Sequence, residues 1–120
     1  MTHQITLTFE LDDETLEGIL ISAGEQWSGS WARSDHALIE ALKRDVQLWD
    51  AEDPKEFHGV LNREKLLRAP QALLDACKKN PDGAAGLRQV LADLITGEIL
   101  DAPQSDCVVQ AALFGEVRFG

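Results

Sequence analysis

The chain of 120 residues has few of the side chains on which metal centres, disulfides and acid–base catalysis depend. Its cysteines are Cys77 and Cys107, and its histidines are His3, His36 and His58. Neither cysteine has a partner at metal-ligand spacing, which argues against a structural zinc site. Both cysteines fall on apolar faces of expected helices, so we expect small buried side chains instead of a disulfide. We expect each histidine to be exposed or at an edge.

Basic residues are also scarce. The chain has 11 Lys and Arg against 21 Asp and Glu, which gives a net charge of −10, and residues 1–25 contain no Lys or Arg at all. Affinity for nucleic-acid phosphates and for anionic membranes comes from basic side chains. The sequence therefore argues against direct binding to nucleic acid or to a membrane surface.

Long apolar runs are absent as well. No stretch approaches the ~20 apolar residues of a membrane span, and the N-terminus lacks the basic-then-apolar layout of a signal peptide. Hydrophobic residues nevertheless make up 44% of the chain, which is typical of a globular protein. We expect a cytoplasmic protein with a single domain over residues 1–120, whose core needs no metal or disulfide.

Recognisable catalytic and cofactor motifs are missing. Neither a Gly-x-Gly-x-x-Gly nor a Gly-Lys-Ser/Thr loop occurs, and Ser28-Gly-Ser30 lacks the Gly-x-Ser-x-Gly frame of a nucleophile elbow. The acids of Asp50–Asp53 lack the glycine and the final glutamate of a calcium loop. A His36–His58 pair with an acid such as Asp50 has no support from spacing. We therefore expect no catalytic residue, cofactor or metal.

The first half of the chain predicts a strand and two helices. Apolar and polar residues alternate over Ile5–Leu11, as in a half-buried strand. Asp12 is a suitable N-cap for an amphipathic helix that Gly24 would end. A Ser/Gly loop over Trp27–Trp31 follows, and then a helix over residues 34–44.

A β-hairpin is predicted next. Its strands are Val46–Trp49 and Phe57–Leu61, joined by a turn over Asp50–Pro54. Gly59 within the second strand indicates a bulge or a close packing approach.

The second half is mostly helical by pattern. Asn62 caps a helix that Pro70 should kink or break near Ala69. After a turn over Asn80–Gly83, the remaining elements are helices ending at Gly97 and Gly115 and a terminal strand, in the order Leu87–Ile95, Pro103–Phe114 and Val117–Phe119. The last twenty residues carry apolar side chains suited to closing a core.

Together these elements predict an α+β domain. We expect a small, mostly antiparallel sheet of three or four strands with four or five helices packed against it. The pattern does not fix the strand order.

Two features are candidates for a binding site. The first is a set of acids around the first helix and the hairpin turn, namely Glu10, Asp12, Asp13, Glu14, Glu17, Asp50, Glu52 and Asp53. Such acids either keep the protein in solution or form an anionic surface that imitates phosphates. The second is the pair Trp27 and Trp31, which either pins its loop to the domain or provides an apolar anchor for a partner.

Several segments resemble small acidic proteins of phages and prophages. They are Val46–Asp53, Val60–Leu67 and the C-terminal Leu113-Phe-Gly-Glu-Val-Arg-Phe-Gly120, which is similar to a Leu-Phe-Gly-Glu-(Ile/Val)-x-(Tyr/Phe)-Gly terminus. This chain departs from the pattern at Pro70, where glycine is expected, at Arg118 and Phe119, where valine and tyrosine are usual, and in a shortened helix over residues 32–44. The resemblance implies a phage accessory protein in a bacterial host cell and transfers no catalytic residue.

Three functions remain open. The first is a non-enzymatic phage or prophage accessory protein, monomeric or homodimeric, that binds a host protein or nucleoprotein complex with a basic surface; inhibition of a defence complex such as CRISPR–Cas is one form. The second is a self-associating structural or assembly protein of a phage. The third is a small enzyme with an unrecognised site.

Overall fold

The structure is a computed structural model that describes residues 11–26, 31–79 and 85–118. Within these residues, the elements are α1 Asp13–Gln26, β1 Ala32–Ser34, a 3₁₀ helix Leu38–Leu42, β2 Val46–Asp50, β3 Phe57–Leu61, α2 Arg63–Lys79, α3 Ala85–Thr96 and α4 Ala102–Phe114. The strands form one antiparallel sheet in the order β1–β2–β3. This confirms the predicted α+β class. The predicted turn over Asn80–Gly83 and all of the predicted first strand except Leu11 lie outside the described residues.

Helix α4 is the centre of the fold. It packs against α1, α2, α3 and β3, and its buried residues include neighbours in sequence such as Val108, Val109 and Gln110. A helix that is buried all round suits a central position. It starts with a capping box between Asp101 and Gln104 and ends at Gly115, which has a left-handed φ of 75°. The predicted start near Pro103 and end at Gly115 are both confirmed.

The predicted N-caps of α1 and α2 are confirmed. Asp12 Oδ1 accepts a hydrogen bond from the Thr15 amide at 2.8 Å, and Asn62 Oδ1 accepts one from the Lys65 amide at 3.0 Å. The predicted end of α1 is wrong by two residues, because Gly24 lacks the positive φ of a terminating glycine and the helix continues to Gln26.

Pro70 does not break α2, so the break that was one of the two predicted outcomes near Ala69 does not occur. The helix runs without interruption from Arg63 to Lys79, and the proline ring is buried. Proline removes its own amide hydrogen bond and its ring crowds the carbonyl of residue i−4, but the burial of Leu66, Ala69 and Leu73 on the same helix holds the two halves to the core.

The predicted helix over residues 34–44 is also wrong. Only a 3₁₀ helix forms, and it begins at Leu38. Before it, Asp35 pairs with β2, since its amide donates to the Gln47 carbonyl at 3.1 Å and its Oδ1 accepts from the Gln47 amide at 2.9 Å. These bonds extend the β1–β2 ladder and prevent a helix from starting there.

The β2–β3 hairpin and its bulge are confirmed. Leu48 pairs with Gly59 while Trp49 pairs with Phe57, so His58 is the extra residue of a bulge. Gly59 has a φ of 142°, and a Cβ on it would lie 3.1 Å from Leu113 Cδ1 of α4. Both explanations offered for this glycine therefore hold.

The predicted terminal strand is wrong where it is described, at Val117 and Arg118, and its last residue lies outside the described part. The Arg118 amide donates to Oε1 of the buried Gln110 at 2.9 Å. A side chain of α4 therefore takes the hydrogen bond that a partner strand would have accepted.

Among the described residues, no helix combines the length and the apolar character needed to cross a membrane.

Candidate interaction surface

The acids at the start of α1 point into solvent. Asp12, Asp13, Glu14 and Glu17 are all exposed on the first two turns of the helix. Acids in a first turn interact favourably with the positive end of the helix dipole. Asp12 also has a structural task, because the hydrogen bonds it accepts from Thr15 lower the pKa of its carboxyl group. Glu10, the remaining member of this predicted group, lies outside the described residues.

Asp13 is neutralised by a basic residue of α2. The guanidinium of Arg63 donates to both carboxylate oxygens of Asp13, which lowers the pKa of Asp13 and raises that of Arg63. A two-point contact of this kind fits the planar shapes of both groups. Asp13 therefore contributes less free negative charge to this face than its sequence neighbours do.

Glu14 and Glu17 carry the unpaired charge of this face. They are three residues apart, which places them side by side on the helix surface. No basic group of the described residues lies within ion-pair distance of either carboxylate. We call these two residues, with Asp12 and Asp13, the α1 acidic face.

The predicted acids of the hairpin turn also include one residue with a structural role and others that are simply exposed. Asp50 is half-buried, and its Oδ1 accepts hydrogen bonds from the amides of Glu52 and Asp53, each at 2.9 Å. These bonds lower the pKa of the Asp50 carboxyl group and hold the turn. Glu52 and Asp53 are exposed. The predicted acids thus form two groups, one on α1 and one in the hairpin turn. In the second group, Asp50 holds the backbone of the turn, and Glu52 and Asp53 are the exposed charges.

Trp31 is a core residue. Only 8% of its surface is exposed, and its indole Nε1 donates to Asp106 Oδ1 on α4 at 2.8 Å. Trp31 is thus an anchor in the core and is not available as an exposed apolar contact for a partner. Trp27 lies outside the described residues.

His58 lies on β3, an edge strand of the sheet, so the predicted edge position is confirmed, but its side chain points inward and is not exposed. Its side chain is 6% exposed. The ring lies 5.7 Å from that of Trp31 and 5.5 Å from that of Phe114, centroid to centroid. Its Nε2 lies 3.7 Å from Asp50 Oδ2 and 3.4 Å from the Trp31 carbonyl oxygen. The bulge at His58 turns this side chain inward. Gly59, the next residue, was the sequence signal that indicated the bulge.

The His58–Asp50 pair links the two strands of the hairpin, and the His58 ring packs against Trp31 and Phe114 of the core. Because Trp31 and Phe114 cover the imidazole, a substrate would have little access to the nitrogen that a general base needs. The same arrangement continues into α4, where Gln110 Nε2 donates to Asp106 Oδ2 at 2.7 Å. We interpret this buried network as structural.

The cysteines and the candidate metal ligands are dispersed. Cys77 and Cys107 are both free thiols of intermediate burial, and burial, followed by Asp106 and Asp101, raises the pKa of Cys107. The neutral thiol is thereby favoured, which makes it a poor nucleophile. In the part of the chain that the structure describes, no cluster of three or more His, Cys, Asp or Glu residues could hold a metal ion.

Comparison with known proteins yields no match, whether to a family model, a curated protein or a solved structure. The resemblance to small phage proteins therefore stays a prediction. Functional inference for this chain depends on its charge and its surface geometry.

Proposed function

We propose that the chain is a non-enzymatic accessory protein of phage or prophage origin that binds a host macromolecule through an acidic surface. The observation that carries this proposal is the α1 acidic face, on which Glu14 and Glu17 are exposed and have no cation from the described residues within ion-pair distance. Inhibition of a bacterial defence complex such as CRISPR–Cas is one concrete form of this function. The partner is a protein or nucleoprotein complex with a basic surface.

The physical basis is long-range attraction followed by charge pairing. A net charge of −10 attracts a basic surface before contact and speeds association at low salt. At contact, carboxylates can occupy positions where a basic groove otherwise holds phosphates. Exposed acids cost little to present, because they remain hydrated until the partner arrives.

The hairpin turn provides a second group of acids. Glu52 and Asp53 are exposed, and Asp50 fixes their backbone through its hydrogen bonds. A held turn presents its carboxylates with less loss of conformational entropy than a mobile loop.

Charge reversal on α1 tests the proposal. The double variant Glu14→Lys, Glu17→Lys adds two charges at each position, so the net charge changes from −10 to −6. Immobilised wild-type protein is expected to retain a basic nucleic-acid-binding protein from host lysate, and soluble DNA should compete for it. The variant is expected to retain it about tenfold less, the equivalent of ~1.4 kcal/mol.

A matched control separates position from total charge. The double variant Glu64→Lys, Asp75→Lys makes the same change in net charge at exposed positions of α2, and it should bind as the wild type does. Equal retention by the α1 variant and the wild type at low salt would rule out the α1 acidic face as the binding surface.

A further inference from the structure

We propose that a groove between α1 and the segment after α3 binds a short segment of the partner protein in which apolar side chains alternate with Lys or Arg. This goes beyond an acidic surface, because it names a concave site and the kind of peptide that fits it. It depends on the proposed function only in taking the partner to be basic.

The groove has a volume of about 420 Å³. Its α1 wall includes Glu14, Gly18 and Ile19, and its other wall is formed by Gly97–Leu100. The α1 wall extends from residue 14 to residue 22, which at 1.5 Å per residue is about 12 Å. That length matches about four residues of extended chain.

The apolar part of the groove is unusually exposed. Ile99 has 96% of its surface in solvent, whereas Ile19 and Leu100 beside it are 3% and 7% exposed. A β-branched apolar side chain almost fully in water gains from being covered. A peptide lying in the groove would cover Ile99 and contact the buried side chains behind it.

Gly18 leaves open space in the α1 wall of the groove. It is exposed, and a Cβ built on it would meet no atom within 4 Å. A peptide can therefore approach the backbone of α1 there. The same open space allows a larger side chain at this position to fill the groove without a clash inside the protein.

The charge of the groove selects the occupant. Each wall carries one glutamate, Glu14 or Glu98, and no basic residue contributes to the lining. Among the described residues, neither glutamate has a cation within ion-pair distance. Two unpaired carboxylates beside an apolar strip complement a peptide with both Lys and Leu side chains and disfavour an acidic one.

The test uses the full chain and a labelled peptide of alternating Leu and Lys, with fluorescence anisotropy as the readout. Two further peptides serve as controls, one with Ser in place of Leu and one with Glu in place of Lys. The blocking variant is Gly18→Leu. Its matched control is Gly24→Leu, on the same helix at a second exposed glycine with nothing within 4 Å, which does not line the groove.

The Leu–Lys peptide is expected to bind the wild type and Gly24→Leu equally, and Gly18→Leu at least about tenfold more weakly. Both control peptides should bind the wild type more weakly than the Leu–Lys peptide. Equal affinity of the wild type and Gly18→Leu would overturn the proposal. So would equal binding of the Glu-containing peptide, or no binding of the Leu–Lys peptide to the wild type.

Two other occupants are checked by the same variant. If another part of this chain filled the groove, Gly18→Leu would melt below the wild type, although removal of a helical glycine should raise stability. If a second copy filled it, light scattering would show a dimer that Gly18→Leu converts to a monomer. Either result would overturn the proposal.

Failure here is distinguishable from failure of the proposed function. If reversal of Glu14 and Glu17 weakens capture of the host protein while Gly18→Leu leaves the peptide affinity unchanged, the acidic face stands and the groove proposal falls. If Gly18→Leu weakens the peptide while charge reversal leaves capture intact, the groove stands without the proposed function.

Discussion

At the residue scale, the acids of this chain do two kinds of work that the sequence does not separate. Asp12, Asp13 and Asp50 accept hydrogen bonds that lower their pKa values, whereas Glu14 and Glu17 only present charge to solvent. A carboxylate whose pKa is lowered on folding contributes stability above its unfolded pKa and loses it as the pH falls through the folded pKa.

Asp50 therefore makes the fold sensitive to acid. Its ordinary pKa is 3.8 and its folded pKa is lower, so its contribution is complete above pH 3.8 and is lost below it. Asp50→Asn can still accept the amide hydrogen bonds of the turn but cannot be protonated. We expect its melting temperature to fall less than that of the wild type as the pH is lowered from about 6 to about 2.

The control for this measurement is Glu52→Gln. It removes the same charge from the same turn at an exposed side chain. Its melting temperature should fall by as much as that of the wild type between about pH 6 and about pH 2. If the melting temperatures of Asp50→Asn and the wild type fell equally as the pH was lowered, the hydrogen bonds of the Asp50 carboxylate would not be the cause of the acid sensitivity.

The burial of the Trp31 and His58 side chains was not predictable from the local sequence pattern. Trp31 is fixed by Asp106, 75 residues away, and His58 is turned inward by a bulge whose register depends on β2. Likewise, the pairing of Asp13 with Arg63 joins residues 50 apart in sequence. The sequence predicts the acidic composition of the candidate site, but it does not predict that Arg63 neutralises Asp13.

At the element scale, the ends of helices were the most predictable features. Asp12, Asn62 and Gly115 act through hydrogen bonds or backbone angles within a few residues of themselves, so sequence alone carries the information. The predicted helix over residues 34–44 and the terminal strand failed because Gln47 and Gln110, from elsewhere in the chain, supply the competing hydrogen bonds.

The packing of β3 on α4 depends on Gly59. Its φ of 142° is unfavourable for a residue with a Cβ, and the added atom would lie 3.1 Å from Leu113. We expect Gly59→Ala to lower the free energy of unfolding by roughly 1–3 kcal/mol, measured by urea denaturation. The matched variant Gly24→Ala should raise it by roughly 0.5–1 kcal/mol, because that glycine is helical and unobstructed. Equal effects of the two variants would contradict the role of the bulge.

At the scale of the whole molecule, the described part of the chain separates a structural interior from a charged exterior. Two titratable side chains of the interior contact Trp31. Asp106 Oδ1 accepts a hydrogen bond from the Trp31 indole, and His58 Nε2 lies 3.4 Å from the Trp31 carbonyl oxygen. Among the described acids, those whose carboxylates have no hydrogen bond or ion pair include Glu14 and Glu17 on α1, Glu52 in the hairpin turn and Glu98 after α3. This distribution is the basis for proposing a function through surface contact.

The most direct test of this account is the salt dependence of binding to the captured host protein, measured for the wild type and for Glu14→Lys, Glu17→Lys. Added salt screens charges over a Debye length of ~10 Å at 0.1 M and ~3 Å at 1 M. If the α1 acidic face binds the partner, the wild-type dissociation constant rises steeply with salt, and the variant binds weakly with a flatter dependence. A wild-type dissociation constant that does not change with salt, and that the variant shares, would contradict it.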